Sequence, residues 1–371
     1  MKEVYVNSRV FSGVDCLDHL KELKNKKVWL FSDAFLVDNG TVNEITSKID
    51  GSNQITICSD VIPDPPLENV AKGIANLLKL QPDVVIAFGG GSAIDTVKGI
   101  LYFAQNAGYK KEVLFIAVPT TSGTGSEVTS VTVITDKALQ TKHLIADHSM
   151  LPNEVLLAPQ FTASVPPAIT ANTGVDVLTH VVEAYVASNA CAYSDALAEK
   201  GTELVFAYLE KCYVNGNDMD ARGKMQEASN IAGTAFNIAG LGMNHAIAHQ
   251  LGGMFHVPHG LANALIITEV IKKNSQDPFM KGRYATLSRK MGFATFADSD
   301  DAAVALLCQK IDEMKRNMKM PMRITECKVD EGELKAKISE LCDNALKDGC
   351  VQTARLVFSR QDIENILLNV L

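Results

Sequence analysis

The run DVVIAFGGGSAIDTVKGI, residues 83–100, changes its period in mid-course. It opens on five consecutive apolar residues, Val84 to Phe88, where a half-exposed strand would alternate. A strand of that kind is buried on both faces, as in a parallel sheet. Three glycines follow, and then the spacing of a helix, expected from Ala93 to Phe103. The pattern recurs on either side. KVWLFSD (27–33) and QITICSD (54–60) read as short strands ending at polar residues. LENVAKGIANLLKL (67–80) reads as a helix running through Gln81-Pro82 into the next strand. EVLFIAVPTTSGTGSE (112–127) repeats strand and then loop. Strands alternating with helices predict βαβ units, hence an α/β domain with a Rossmann-like parallel sheet covered on both faces.

From about residue 165 the texture changes. ITANTGVDVLTHVVEAYVAS (169–188), DALAEKGTELVFAYLEKCY (195–213) and DEGELKAKISELCDNALKD (330–348) carry helical spacing, with no strand-like runs between them. A chain of 371 residues exceeds one typical core. The expected organisation is an α/β dinucleotide-binding domain over 1–163 and an all-helical metal and substrate domain over 164–371, joined near SVPP (164–167).

The totals remove several classes of function. A net charge of −8 with no long basic run argues against nucleic acid as the main partner. No run of 18 apolar residues is present to span a membrane, and MKEVYVNSRVFSG lacks the apolar core of a secretory signal. The eight cysteines are scattered without a CxxC pair, as reduced thiols in a cytoplasm would be.

Two loops invite a ligand. Gly89, Gly90, Gly91 and Ser92 lie between strand and helix, where backbone N–H groups unshielded by Cβ atoms form an anion site suited to a pyrophosphate. The GxGxxG fingerprint is absent, and a tight βα turn is the plain alternative. The second loop, Pro119 to Glu127, is rich in hydroxyls and glycine and follows another strand, where open α/β sheets bind ligands. Asp33 closes the strand KVWLFSD. A carboxylate there can accept from a ribose diol and repel a 2′-phosphate, favouring NAD over NADP. It could equally cap a helix.

The helical half holds the other chemistry. In GVDVLTHVVEAY, Asp176 and His180 are four apart and share a helix face. Four of the eight histidines fall in GLGMNHAIAHQLGGMFHVPHG (240–260). His245 and His249 are again four apart, and His259 sits in Pro258-His259-Gly260, read as a loop. Asp with three His would close an N/O ligand sphere, or leave one His for proton transfer; such ligands suit zinc or ferrous iron equally. HAIAH lacks the Glu of HExxH, which removes the zinc-protease reading. His256, between Phe255 and Val257, reads as a pocket or packing residue.

GGGSAIDTVK, PTTSGTGSEVT, GVDVLTHVVEAY and HAIAHQLGGMFHVPHGLANA occur in this order in the iron-containing (group III) alcohol dehydrogenases, and the chain resembles that family nearly end to end. Within it, FGGGSAIDTVKGI, PPAITANTGVDVLTH and ALAEK look most like the branch of propanol dehydrogenases that serves propanediol-utilisation microcompartments. The resemblance implies the dehydroquinate synthase-like fold, with Asp176, His180, His245 and His259 as ligands of Fe²⁺ (Zn²⁺ being the alternative) and His249 uncoordinated beside the substrate. It implies Asp33 as the NAD-selecting carboxylate and Gly90, Gly91 and Ser92 as the pyrophosphate loop, with Asp95 of the same motif counted among the cofactor residues. Thr120 and Thr121 would cover the cofactor, joined by Lys142, ten residues before Pro152. The implied activity is NAD-dependent interconversion of a short primary alcohol and its aldehyde, with propionaldehyde to 1-propanol foremost. Butanol, 4-hydroxybutyrate, 1,3-propanediol and glycerol are the rival substrates, and a lyase of the same fold is the rival chemistry. The implied partners are a second copy of the chain and bacterial microcompartment proteins. Two positions depart from the family pattern: Ala158, where relatives commonly carry Asp, and Asp64, where many carry Asn.

Overall fold

The computed structural model describes residues 4–137 and 141–371, apart from the side chains of Thr141 and Lys142. The chain divides into two compact units, Val6–Ser164 and Val165–Leu371, the second also taking in the N-terminal residues to Tyr5.

In the first unit the strands are β1 (Arg9–Ser12), β2 (Lys27–Asp33), β3 (Gln54–Val61), β4 (Val84–Gly89), β5 (Leu114–Pro119), β6 (Val131–Asp136), β7 (Thr141–Ala146) and β8 (Glu154–Leu157). Its helices are α1 (Ala34–Asp38), α2 (Val42–Thr46), α3 (Leu67–Leu80) and α4 (Gly91–Asn106). Six strands form one parallel sheet in the order β1-β8-β5-β4-β2-β3, while β6 and β7 pair as an antiparallel hairpin. The apolar run of β4 has the cause inferred for it. Val84, Ile86 and Phe88 face one core with Val42, Ile45 and Phe161. Val85 and Ala87 face another with Val70, Leu77, Ile94 and Val97. The helix that follows starts two residues earlier than Ala93, because Gly90 is its N-cap and Gly91 its first residue, and ends three later than Phe103.

Strand order reverses between β2 and β4: β2 leads to β3 on one side, and β3 crosses back by α3 to β4 and then β5. Helix α2 covers one face of the sheet, and α3 and α4 the other. That arrangement opens a crevice at the carboxyl ends of β2 and β4, where doubly wound sheets bind nucleotides. The two departures from the family pattern also find physical reasons. Ala158 is wholly enclosed in the apolar cluster with Leu156 and Phe161. Asp64 takes a left-handed φ of 51° between two prolines, a conformation that Asp tolerates as Asn does.

The second unit is helical throughout: α5 (Pro167–Val186), α6 (Ala192–Val214), α7 (Met219–Ala239), α8 (Met243–Phe255), α9 (His259–Asn274), α10 (Pro278–Lys290), α11 (Asp300–Asn317), α12 (Glu331–Ala345) and α13 (Arg360–Asn369). Every residue of α5 from Gly174 to Val186 is buried, so this helix is the axis around which α6, α7 and α9 pack. Among the described residues no helix is long and apolar enough to cross a membrane. All eight cysteines are free thiols.

Close approach of α5 and α6 depends on Gly174, where an added Cβ would meet Leu209 Cδ1 at 2.1 Å. Gly174→Ala is expected to destabilise the protein by about 1–3 kcal/mol, as overpacking of a filled core does. Denaturant unfolding measures this, and an unchanged midpoint would show that Leu209 yields freely.

Candidate metal centre and coenzyme loops

Four of the sequence-derived residues converge. Asp176 and His180 lie one turn apart on α5, His245 lies on α8, and His259 is the first residue of α9. One donor atom from each falls within 4.8 Å of every other. His259 Nε2 is 3.4 Å and His245 Nε2 is 3.7 Å from Asp176 Oδ1. Ligands about 2.1 Å from a tetrahedral ion stand about 3.4 Å apart, so these spacings suit a divalent cation. The loop reading of Pro258-His259-Gly260 is corrected: proline caps the helix, and glycine lets it touch α5. A Cβ at Gly260 would lie 2.2 Å from the Asn172 carbonyl oxygen.

The electrostatics favour a cation too. Burial holds the His180 imidazole down at about 3, with the Asp176 charge opposing, and holds His245 well below its usual range. Both are therefore neutral at neutral pH, the state in which imidazole binds metal. Burial raises the Asp176 carboxyl, with His180 opposing. His180 Nδ1 is enclosed without a hydrogen-bond partner. Three imidazoles, two of them held neutral, thus converge on a buried carboxylate. The donor set fits a metal ion. The His259 side chain, 44% exposed against 1% for His245, marks the side open to solvent.

Three partners escaped the sequence reading. Glu183, one turn beyond His180 on α5, is buried and accepts from His245 Nδ1 at 2.5 Å and from the Asn244 backbone N–H at 2.7 Å. It thereby orients His245 and occupies the N-terminus of the helix that carries it. Burial pushes the Glu183 carboxyl up to about 8 against the pull of backbone N–H groups at Asn244, His245 and Gly242. A cation beside His245 works in the same direction as those N–H groups. Asn263, one turn along α9 from His259, donates to Asp176 Oδ1 at 2.7 Å. Asp348 lies 2.8 Å from His249 Nδ1. Burial raises the Asp348 carboxyl, but the His249 bond and charge outweigh it and the net shift is downward. A signal for Glu183 was present, since Asp176, His180 and Glu183 follow the i, i+4, i+7 rule of one helix face.

His249 stands outside the four donors, its ring 5.4 Å from His259 and 5.9 Å from His245. The packing reading of His256 is corrected. It ends α8 in a left-handed conformation, φ 56°, with its side chain exposed.

In the first unit the two loops meet at the reversal point of the sheet. Thr120 N–H donates to the Gly89 carbonyl at 3.0 Å. A Cβ on Gly90 would lie 3.6 Å from Thr121, an ordinary contact, whereas one on Gly91 would lie 3.0 Å from Thr124, which leaves little room for a side chain there. Asp33, at the end of the adjacent strand, accepts from Leu36 N–H at 2.9 Å through Oδ1. A Cβ on Gly89 would lie 3.9 Å from its Oδ2. Both readings of Asp33 are thus compatible: one oxygen caps α1 and the other faces the glycine loop. Ser92 lies in the first turn of α4. The Asp95 carboxylate is engaged inside the protein, with Ser126 Oγ at 2.5 Å and Val133 N–H at 3.3 Å. The Lys142 side chain lies outside the described residues.

Residues 7–159 match the family model for iron-containing alcohol dehydrogenase, and residues 170–371 that for the C-terminal part of the Fe-containing alcohol dehydrogenase family. The 1-propanol dehydrogenase PduQ of Citrobacter freundii is 43% identical over 371 residues, the whole of both chains. A 1,3-propanediol oxidoreductase crystal structure superposes with a TM-score of 0.92 over all of both chains at 29% identity. The sulfoacetaldehyde reductase of Bifidobacterium kashiwanohense, solved with NAD⁺, gives 0.87 at 26% identity, covering 100% of this chain and 98% of that one.

Replacing Glu183 by Gln exchanges the carboxyl that holds the His245 ring N–H for an amide. The expected result is about a 10–100-fold loss in metal affinity. Competition with a chromogenic chelator measures it, and an unchanged affinity would show that His245 needs no orienting partner.

Proposed function

The chain belongs to the iron-containing alcohol dehydrogenase family, and from that membership we propose that it interconverts a short primary alcohol and its aldehyde with NAD(H), working chiefly as a reductase of propionaldehyde to 1-propanol. The observation that carries the reading is the convergence of Asp176, His180, His245 and His259 with His249 beside them. These four would hold the ion, ferrous iron by family membership with zinc as alternative. Residues 1–163 serve as the coenzyme domain and 164–371 as the metal and substrate domain. When bound, the ion supplies Lewis acidity toward the substrate oxygen and NAD(H) the hydride carrier.

The chain's own residues supply the rest. Backbone N–H groups at Gly90 and Gly91, with the N-terminus of α4 behind them, attract the coenzyme diphosphate. Ser92, Thr120, Thr121 and Lys142 complete its surroundings. Asp33 accepts from the ribose diol and repels a 2′-phosphate, so NADH is preferred over NADPH. Asp348 accepts the Nδ1–H of His249, which leaves the lone pair at Nε2. From there His249 takes the proton released in alcohol oxidation and returns it in aldehyde reduction. The propanol-dehydrogenase likeness supports a propanediol-utilisation setting, with further copies of this chain and bacterial microcompartment proteins as partners.

The test is an anaerobic panel of C2 to C4 aldehydes after Fe²⁺ reconstitution, followed by NADH or NADPH absorbance. Propionaldehyde should be reduced fastest, with NADH. Faster turnover of a hydroxyaldehyde would shift the assignment to a diol dehydrogenase, and no coenzyme oxidation with any aldehyde would overturn it. His249→Ala should lower kcat by about 10²–10⁴-fold, the usual worth of a positioned acid–base group, while bound metal is retained. Loss of the metal in that variant would place His249 among the ligands instead.

A further inference from the structure

Among the described residues two lysines are fully enclosed, Lys98 and Lys315. Lys315 has an ordinary partner, Asp312 at 3.0 Å. Lys98 has none of that kind. Its ammonium donates to Ser126 Oγ at 3.0 Å, Thr129 Oγ1 at 3.0 Å and the Val131 carbonyl at 2.8 Å. Asp95, one turn earlier on α4, accepts from the same Ser126 hydroxyl at 2.5 Å and from Val133 N–H at 3.3 Å, and its carbonyl accepts from Thr132 Oγ1 at 2.9 Å. Six hydrogen bonds therefore tie one face of α4 to residues 126–133. Enclosing an ammonium costs several kcal/mol, and it is tolerated where every N–H finds an acceptor, as here.

The tied segment continues directly from the Thr/Ser/Gly loop, and that loop rests on the N-terminus of the same helix, Thr121 against Gly90 and Thr124 against Gly91. The helix is thus held to the loop at both ends of its first two turns: by bare backbone contact at Gly90 and Gly91, and by the Lys98 cluster behind. We propose that Lys98, with Asp95 and Ser126, is a positioning residue for the coenzyme, fixing the threonine loop over the start of α4 so that the cradle for a dinucleotide diphosphate is preformed. The proposal rests on the reading that these loops hold NAD(H). A methionine at position 98 would fill the space but leave two hydroxyls and a carbonyl without a donor, and the loop would satisfy them with water by moving off the helix.

Burial lowers the Lys98 ammonium to about 8, with Asp95 on α4 and Glu127 in the Ser126–Val128 turn opposing. Because the shift is downward from 10.5, the ammonium form is lost as pH rises through about 8. The neutral amine has two N–H groups for three acceptors, so coenzyme affinity falls across that range. Folding stability has the opposite sign: the unfolded chain holds this proton more tightly, so the Lys98 contribution to stability rises above about pH 8.

The experiment is calorimetric titration of ADP-ribose and NADH into the metal-loaded full chain, as wild type, Lys98→Met, Ser126→Ala and Thr129→Val. Lys98→Met is expected to raise Kd and KM for NADH by about tenfold or more. Bound metal, KM for the aldehyde and kcat at saturating NADH should stay close to wild type. The wild-type rise in Kd through about pH 8 should be absent from Lys98→Met. Ser126→Ala and Thr129→Val should show smaller shifts in the same direction, and they carry the test should Lys98→Met not fold. Wild-type binding of ADP-ribose with equal binding by the variants overturns the positioning role alone. Failure of the wild type to bind ADP-ribose overturns the dinucleotide reading, and this proposal with it.

Discussion

The bond between His245 Nδ1 and Glu183 joins two pieces of chain that sequence keeps 62 residues apart. On one side is α5, which carries Asp176 and His180; on the other is α8, which carries His245 and His249. The same carboxylate receives the Asn244 N–H at the start of α8, so it sets where that helix begins as well as how its first histidine is turned. A glycine stands opposite because there is no room for more: a Cβ at Gly242 would lie 3.0 Å from the Glu183 oxygen. On the far side Asn263 binds Asp176, and Gly260 brings the backbone of α9 against α5. Two of the donors, Asp176 and His245, are thus held by buried neighbours, Asn263 and Glu183, and the geometry is held by helix packing rather than by loops.

The enclosure that fixes these groups also sets their charge. Imidazoles kept neutral by burial and a carboxylate deprived of water form a site whose net requirement is a cation. His249 is treated differently. It is half-buried, lies against the donor group and is bonded to Asp348, a carboxylate held below its usual range. Within fifteen residues of sequence, environment divides the histidines into two that join the donor cluster, one bonded to Asp348 outside it, and the exposed helix end at His256.

What sequence revealed and what it hid follow from the range of each interaction. The alternation of strands and helices, the four-residue spacings on α5 and α8, and the glycine turn after β4 are local, and local periodicity recovers them. Pro258-His259-Gly260 misled because proline and glycine usually punctuate loops. Here the proline caps a helix and the glycine allows backbone contact with a distant carbonyl, which no local rule reveals. His256 misled for a related reason: apolar neighbours on both sides imply packing, whereas the left-handed turn at the end of α8 swings it outward. Asp348 lies 99 residues from His249 in a short 3₁₀ turn, so its partnership exists only in the folded chain. Only the structure shows that Lys98 points inward at three acceptors.

X-ray absorption at the iron edge of the reconstituted protein addresses the central claim most directly. One ion per chain is expected, with nitrogen and oxygen neighbours about 2.0–2.2 Å away, no sulfur, and imidazole scattering from three rings. Asp176→Asn should alter this shell, and His249→Ala should not. Iron with a sulfur neighbour, or a spectrum that changes with His249 and not with Asp176, would contradict the assignment of the four donors.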